Sequence, residues 1–175
     1  ENPGDRSMTS KQRFLAALNR QVPDRLPVTT HHVMPYYLDK YLGGISNEAF
    51  FDRFGMDPIQ WVFDHKPDPN TSDYFDPTHV PGYLEPRRIA SDNWRITKES
   101  IPDPQYKTER FTFHTPKKDL TLVLQSNDYT SWVTERLIKE KGDIDIIAEY
   151  ATKPLCDVDT VNAKAAAYGE RGLIR

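Results

Sequence analysis

Near the start of the chain, apolar positions recur at helical spacing. Phe14, Leu15, Leu18 and Val22 fall along one side of a helix. Thr9 and Gln12 fit a capping box in front of them: the Thr hydroxyl accepts from a first-turn amide while Gln12 reaches back. Pro23 removes a backbone donor and ends that helix. Leu26 to Thr30 predicts a short first strand. Pro35 suits the first turn of a second helix, with Leu38, Tyr41 and Leu42 inward and Gly43 and Gly44 as its stop. Ser46 caps a third helix carrying Ala49, Phe50 and Phe54, and Gly55 stops it. Ile59 to Phe63 then reads as a short buried strand that delivers Asp64 at its C-terminal tip, beside His65.

From Lys66 to Asp92 the pattern breaks. Pro67, Pro69, Pro77, Pro81 and Pro86 exclude a long helix, and Asp68, Asp73 and Asp76 keep the stretch polar. Residues 66–92 are therefore expected to be a long loop. A period of two follows over 93–136: Trp94 with Ile96, Phe111 with Phe113, and Leu120, Leu122 and Leu124 each alternate with polar or smaller residues. The Lys117–Lys118–Asp119 step predicts a hairpin, and Ser131 to Arg136 a further strand. Ile144, Ile147 and Ala148 predict a short helix ended by Pro154. Val161, Ala165 and Tyr168 lie on one side of another, which Gly169 ends, and Gly172 to Arg175 looks like the start of a strand.

Two stretches carry candidate chemistry by position alone. In α/β folds, ligands gather at the C-terminal ends of strands. Asp64 and His65 fall there, the alternative for Asp64 being a turn or cap. His31 and His32 follow the first predicted strand. Imidazole suits acid–base work near neutral pH, and strand alternation places the two on opposite faces, so at most one of them faces a site and the other packs. Tyr36, Tyr37 and Tyr41 read either as an aromatic binding wall or as helix packing.

Residues 10–28, Ser-Lys-Gln-Arg-Phe-Leu-Ala-Ala-Leu-Asn-Arg-Gln-Val-Pro-Asp-Arg-Leu-Pro-Val, resemble the opening of the uroporphyrinogen decarboxylase superfamily. Arg-Phe-Gly-Met-Asp at 53–57 fits the same pattern. Residues 120–133, from Leu120 to Val133, look more like its corrinoid-linked methyltransferase branch. The resemblance runs from about Thr9 to Arg175. It implies an α/β fold, the N-terminal part of a (β/α)8 TIM-type barrel with an antiparallel β excursion over 93–136. Residues 1–8 are then a flexible tail and 9–175 an incomplete barrel domain, since a whole barrel takes roughly 200 residues or more.

The resemblance also implies site residues. In the decarboxylases an aspartate seven residues after that of the helix–strand junction holds the pyrrole nitrogens, and Asp57 and Asp64 have this spacing. The arginines that clamp substrate carboxylates there are matched by His32 and Tyr36, while Tyr37 is retained. Asp64 is thus the implied catalytic residue, and His32, Tyr36, Tyr37 and His65 the implied substrate-binding residues. Loss of both arginines opposes uroporphyrinogen decarboxylation. The methyltransferases use a corrinoid carrier and a zinc-activated thiol, whose ligands lie in the second half of the family's barrel. Neither Cys156 nor the adjacent His31 and His32 supply them, so no metal or cofactor site is expected within this chain.

Composition narrows the classes. The 175 residues suffice for one domain with a core, but 37% apolar residues, 14 prolines and a mean hydropathy of -0.71 predict a small core or one completed by another chain. A net charge of -3 argues against nucleic-acid binding. No apolar run suggests a membrane span or a signal peptide. The lone Cys156 excludes an internal disulfide and makes the cytoplasm the default. Three functions are open: a part of a corrinoid-dependent methyltransferase, acting on a small-molecule substrate or a corrinoid protein; a tetrapyrrole decarboxylase; and a non-catalytic binding or interaction subunit, oligomeric or needing a complementing chain.

Overall fold

The computed structural model describes residues 7–80, Leu84 and 88–175. In chain order they form α1 (Ser10–Leu18), α2 (Pro35–Leu42), α3 (Asn47–Arg53), β1 (Ile59–Gln60), β2 (His65–Lys66), β3 (Tyr74–Phe75), β4 (Ile89–Ala90), β5 (Arg95–Ile101), β6 (Lys107–His114), β7 (Leu120–Ser126), β8 (Ser131–Glu135), α4 (Lys141–Tyr150), β9 (Leu155–Cys156), α5 (Val158–Tyr168) and β10 (Leu173–Ile174). The chain divides into two compact units, one formed by the residues up to Val62 with Val158–Arg175, the other by Phe63–Asp157. The tail predicted over 1–8 lies outside the described residues except for its last two positions. Pro81 and Pro86 of the predicted loop also lie outside them.

In the first unit, Thr9 caps α1 as its sequence predicts: its hydroxyl accepts from Gln12 N and the Gln12 side chain accepts from Thr9 N, both at 3.1 Å. The buried face of α1 differs from the apolar stripe. Arg13, Phe14 and Ala16 are inside, while Leu15, Leu18 and Val22 are exposed. The helix ends at Leu18, ahead of Pro23. The reason is a buried carboxylate. Asp57 is 0% exposed and accepts from Ser10 Oγ (2.8 Å), Arg13 Nη1, Arg25 Nη1 and Nη2 (2.8 and 3.0 Å) and Val28 N (2.9 Å). Arg13 also grips Asp24 with two bonds, of 2.7 and 3.0 Å. Charge pairing thus outweighs the hydrophobic stripe in setting how α1 turns.

Leu26 to Thr30 form no strand; their pairing to the next segment is the Asp57 N to Val28 O bond of 2.6 Å. β1 pairs in parallel with β10, Ile59 against Leu173 and Gln60 against Ile174. The pairing continues through Val62 N to Arg175 O, but β1 is shorter than the predicted Ile59–Phe63. Gly172 is required beside it, because a Cβ there would stand 2.1 Å from Pro58 O. In α2 Leu38 is buried and Tyr41 exposed; in α3 the buried ring is Phe51, and Phe54 is exposed. α5 has no buried residue, though its half-buried side carries Val161, Ala165 and Tyr168 as their spacing predicts.

The second unit is built on an antiparallel meander, β5-β6-β7-β8. Phe111 stands opposite Leu122 and Phe113 opposite Leu120, so the apolar residues of β6 and β7 share one face. That face holds Trp94, Phe111, Phe113, Leu120, Leu122 and Leu124 with Val80 and Leu84, and Ile146, Ile147 and Tyr150 of α4 pack against it. Asp143 anchors the start of α4: its carboxylate accepts from Lys139 N, Glu140 N and Lys118 Nζ. The Lys118 bond and the Lys139 amide hold its pKa down at about 2.

The expected TIM-type barrel fragment is corrected by this architecture. Among the described residues the one parallel pairing is the two-residue β1–β10; the other sheets are antiparallel. Strands of a parallel barrel are covered on both faces and read as continuous apolar runs. The long strands here alternate, which matches a sheet with one face packed and the other toward water. The predicted loop over 66–92 also carries two-residue strands, β3 and β4, which pair antiparallel with Tyr74 opposite Ala90.

Candidate functional site

In the first unit, β1 and β10 end side by side, and chemistry-bearing side chains collect there. Trp61 follows β1 and Arg175 follows β10. The Arg175 guanidinium lies over the Trp61 ring, 3.8 Å from its centroid, a cation–π geometry. Trp61 Nε1 donates to His31 O at 3.1 Å, and the two rings meet edge to face at 5.0 Å. His31 and His32 come together rather than diverging: their Nδ1 atoms are 2.7 Å apart, so one ring donates to the other. The expectation of opposite faces fails because the chain has no strand at these residues. Both histidines are exposed. The result is an open corner with a guanidinium, two imidazoles and an indole, suited to an anionic or flat aromatic group.

Tyr36 and Tyr37 stand on α2 with Tyr41. The Tyr37 and Tyr41 ring centroids are 5.6 Å apart and those of Tyr36 and Tyr41 6.3 Å. Lys40 Nζ lies 5.0 Å from the Tyr36 centroid and bonds its hydroxyl. Tyr37 and Tyr41 are exposed, so these rings form a surface wall and not a packed core.

Asp64 and His65 belong to the second unit. Asp64 does not cap a five-residue parallel strand, since β1 ends at Gln60. It precedes an antiparallel pair, β2–β9, and its carbonyl accepts from Asp157 N at 2.9 Å. His65 stands directly opposite Cys156, so the two side chains share a face. The His65 Nδ1 atom is buried without a partner, and Cys156 is exposed and free. Among the described residues no group of three or more His, Cys, Asp or Glu side chains comes together to hold a metal.

Sequence reasoning missed three residues. Arg175 and Trp61 are joined only by the parallel pairing of distant segments: each lies inside a predicted strand, one step beyond the end of the observed one, and nothing local links the two. His79 is the third. It is 4% exposed, and neither ring nitrogen has a partner. Burial lowers its pKa, and Arg88 adds to this while Asp76 opposes it. The folded pKa is below the unfolded one, so protons bind preferentially to the unfolded chain. Stability is therefore full above the unfolded histidine range, near 6.5, and declines as pH falls through it toward the folded value. The urea midpoint of the second unit is expected to drop between pH 7 and 5, and His79→Phe to remove part of that slope. An unchanged slope in the variant would show that His79 is not the group responsible.

Comparison with protein-family models, with curated proteins and with solved structures finds no match for the chain.

Proposed function

We propose that this chain is a uroporphyrinogen-decarboxylase-like protein that takes part in corrinoid-dependent methyl transfer. One observation carries the reading. The charged residues of the motifs that bear the resemblance, Arg13, the adjacent Asp24 and Arg25, and Asp57, come from three separate motifs and meet in one ion-pair network. A shared structural task accounts for the arrangement of Arg-Phe-Leu-Ala-Ala-Leu, Pro-Asp-Arg and Gly-Met-Asp as a set. The reading concerns relationship and activity, and it does not rest on a barrel.

The residues divide the work as follows. Tyr36, Tyr37 and Tyr41 offer a wall for a flat macrocycle. His32, with His31, offers an imidazole that can hold or pass a proton. Asp64 and His65 lie in the second unit and are assigned no part in this surface. The zinc that the relationship implies is given no ligand set here: among the described residues no three His, Cys, Asp or Glu side chains come together. No step through zinc is assigned to this chain; a complementing chain or a corrinoid protein in the cytoplasm is the partner this reading calls for.

A second reading, a non-catalytic interaction subunit, is favoured by apolar side chains of the first unit that face water: Val22 is 90% exposed, Leu26 79% and Leu18 69%. A decarboxylase is less favoured, since the His32 and Tyr36 positions lack the paired guanidinium groups a carboxylate clamp needs.

The test is titration of the purified chain with methylcobalamin, followed by absorbance in the presence of a thiol. Binding is expected, and the double variant His32→Ala/Tyr37→Ala is expected to weaken it about tenfold, the equivalent of about 1.4 kcal/mol. Asp39→Ala should leave it unchanged. Failure to bind the corrinoid would remove the methyl-transfer reading, and conversion of uroporphyrinogen to coproporphyrinogen would replace it with the decarboxylase one.

A further inference from the structure

Three segments of the second unit meet around an open polar groove of about 260 Å³: the loop between β2 and β3, the turn between β4 and β5, and the end of α4. The loop brings Asp68 and Asp73, both half-buried. One oxygen of Asp68 accepts from Asn70 N and Nδ2, at 2.9 and 3.1 Å. Among the described residues neither carboxylate meets a Lys or Arg. The turn brings Ser91. It is 6% exposed, and its hydroxyl lines the groove without a hydrogen-bond partner among the described residues. A hydroxyl so placed costs stability unless something in the groove bonds it.

The end of α4 adds charge of the same sign. A helix C-terminus carries partial negative charge on its free carbonyls, and the last turn of α4 has no basic residue to offset it. Glu149 is already held by Lys117. Lys153, the one cation in the lining, is exposed and pairs with neither Asp68 nor Asp73.

These facts restrict the occupant. An anion would face two carboxylates and a helix C-terminus. A neutral molecule would leave the carboxylates uncompensated. A calcium ion takes about six or more oxygens, and among the described residues no three His, Cys, Asp or Glu side chains come together for a metal. An ammonium group fits this lining. It carries several N–H donors and no acceptor, so the carboxylates and the Ser91 hydroxyl can share it in charge-assisted bonds. Tyr150 and Ala151 supply apolar wall for a short carbon chain.

We propose that this groove binds a small aliphatic molecule carrying a protonated primary amine. The inference goes beyond the methyl-transfer reading and does not rest on it: the lining residues all belong to the second unit, and none is assigned a part there.

The experiment titrates the whole ¹⁵N-labelled chain with putrescine at neutral pH and constant ionic strength. Saturable amide shifts are expected at Asp68, Asp73, Ser91 and Lys153, and none at exposed Asp128. Butanediol, of the same length but uncharged, and calcium chloride are expected to leave these amides unmoved. Asp73→Asn should weaken putrescine about fivefold, and Ser91→Ala about threefold, while the sheet's amide spectrum stays dispersed. Lys153→Met removes the competing cation and should tighten binding. Absence of saturable shifts, shifts spread over other acidic surfaces, an equal response to butanediol or calcium, or undiminished binding in folded Asp73→Asn would each overturn the proposal. If Ser91→Ala unfolds the unit, Asp73→Asn and the contrast with butanediol on the native chain decide.

Discussion

Asp57→Ala is expected to destabilise the first unit by about 3–5 kcal/mol, the cost typical of breaking a buried ion pair from one side. Asp57 is fully buried, and its two oxygens accept from two guanidinium groups, a hydroxyl and a backbone amide. The substitution leaves Arg13, 5% exposed, with Asp24 as its one remaining carboxylate beside the Met8 carbonyl, and Val28 N without its acceptor. By contrast Asp52, which meets Arg171 at 2.7 Å on the surface, should cost no more than about 1 kcal/mol when changed to Ala. Urea unfolding followed by the fluorescence of Trp61 would measure both. Equal effects of the two substitutions would refute the central place given to Asp57.

The same network fixes a pH dependence. Burial pushes the Asp57 carboxyl up, but the bonds from Val28 N, Ser10, Arg13 and Arg25 outweigh it and hold the pKa below its ordinary value. The Arg13 guanidinium likewise holds the pKa of Asp24 below its ordinary value. Both folded values lie below the unfolded ones, so the unfolded chain binds more protons. The stabilisation is complete above the unfolded carboxylate range and is lost as pH falls through the folded values. Asp57→Asn should flatten this acid limb. A variant with the native acid midpoint would assign the limb to other carboxylates.

This network also marks how far the sequence could be read. Thr9 and Gln12 announced their capping box because both partners lie within one turn. The β6–β7 hairpin was legible because period-two alternation is a local signal. Arg13 gave none: an arginine on a helix reads as outward, and its partner Asp57 stands 44 residues away. Burying Arg13 rotated α1, so the apolar stripe of Leu15, Leu18 and Val22 went outward. The barrel expectation failed for a related reason. It extended a resemblance of short motifs into a parallel architecture around the alternating strands at 93–136, which were expected as an antiparallel excursion and instead form the largest sheet among the described residues. At the candidate site, His32 was placed after a first strand that does not form, Tyr36 and Tyr37 were singled out through the resemblance, and Arg175 reaches Trp61 only through pairing of β1 with β10.

Phe111→Ala is expected to cost the second unit about 3–5 kcal/mol, the usual range for removing a buried Phe side chain. Phe111 is 2% exposed and sits at the middle of the sheet, opposite Lys98 of β5 and Leu122 of β7. Its ring packs within the cluster of Trp94, Phe113, Leu120 and Leu124, so truncation opens a space on several sides that the strands cannot close without breaking their ladder. Val133→Ala on β8 is the control: Val133 is 44% exposed, and its loss should stay within about 0.5 kcal/mol. Hydrogen exchange separates a local from a unit-wide effect. Amides of β6 and β7 bonded to each other should lose protection together in Phe111→Ala, and those of α1 should not. A cost under about 1 kcal/mol, as for a surface position, would mean that the sheet is held by its edges and hairpins rather than by this face.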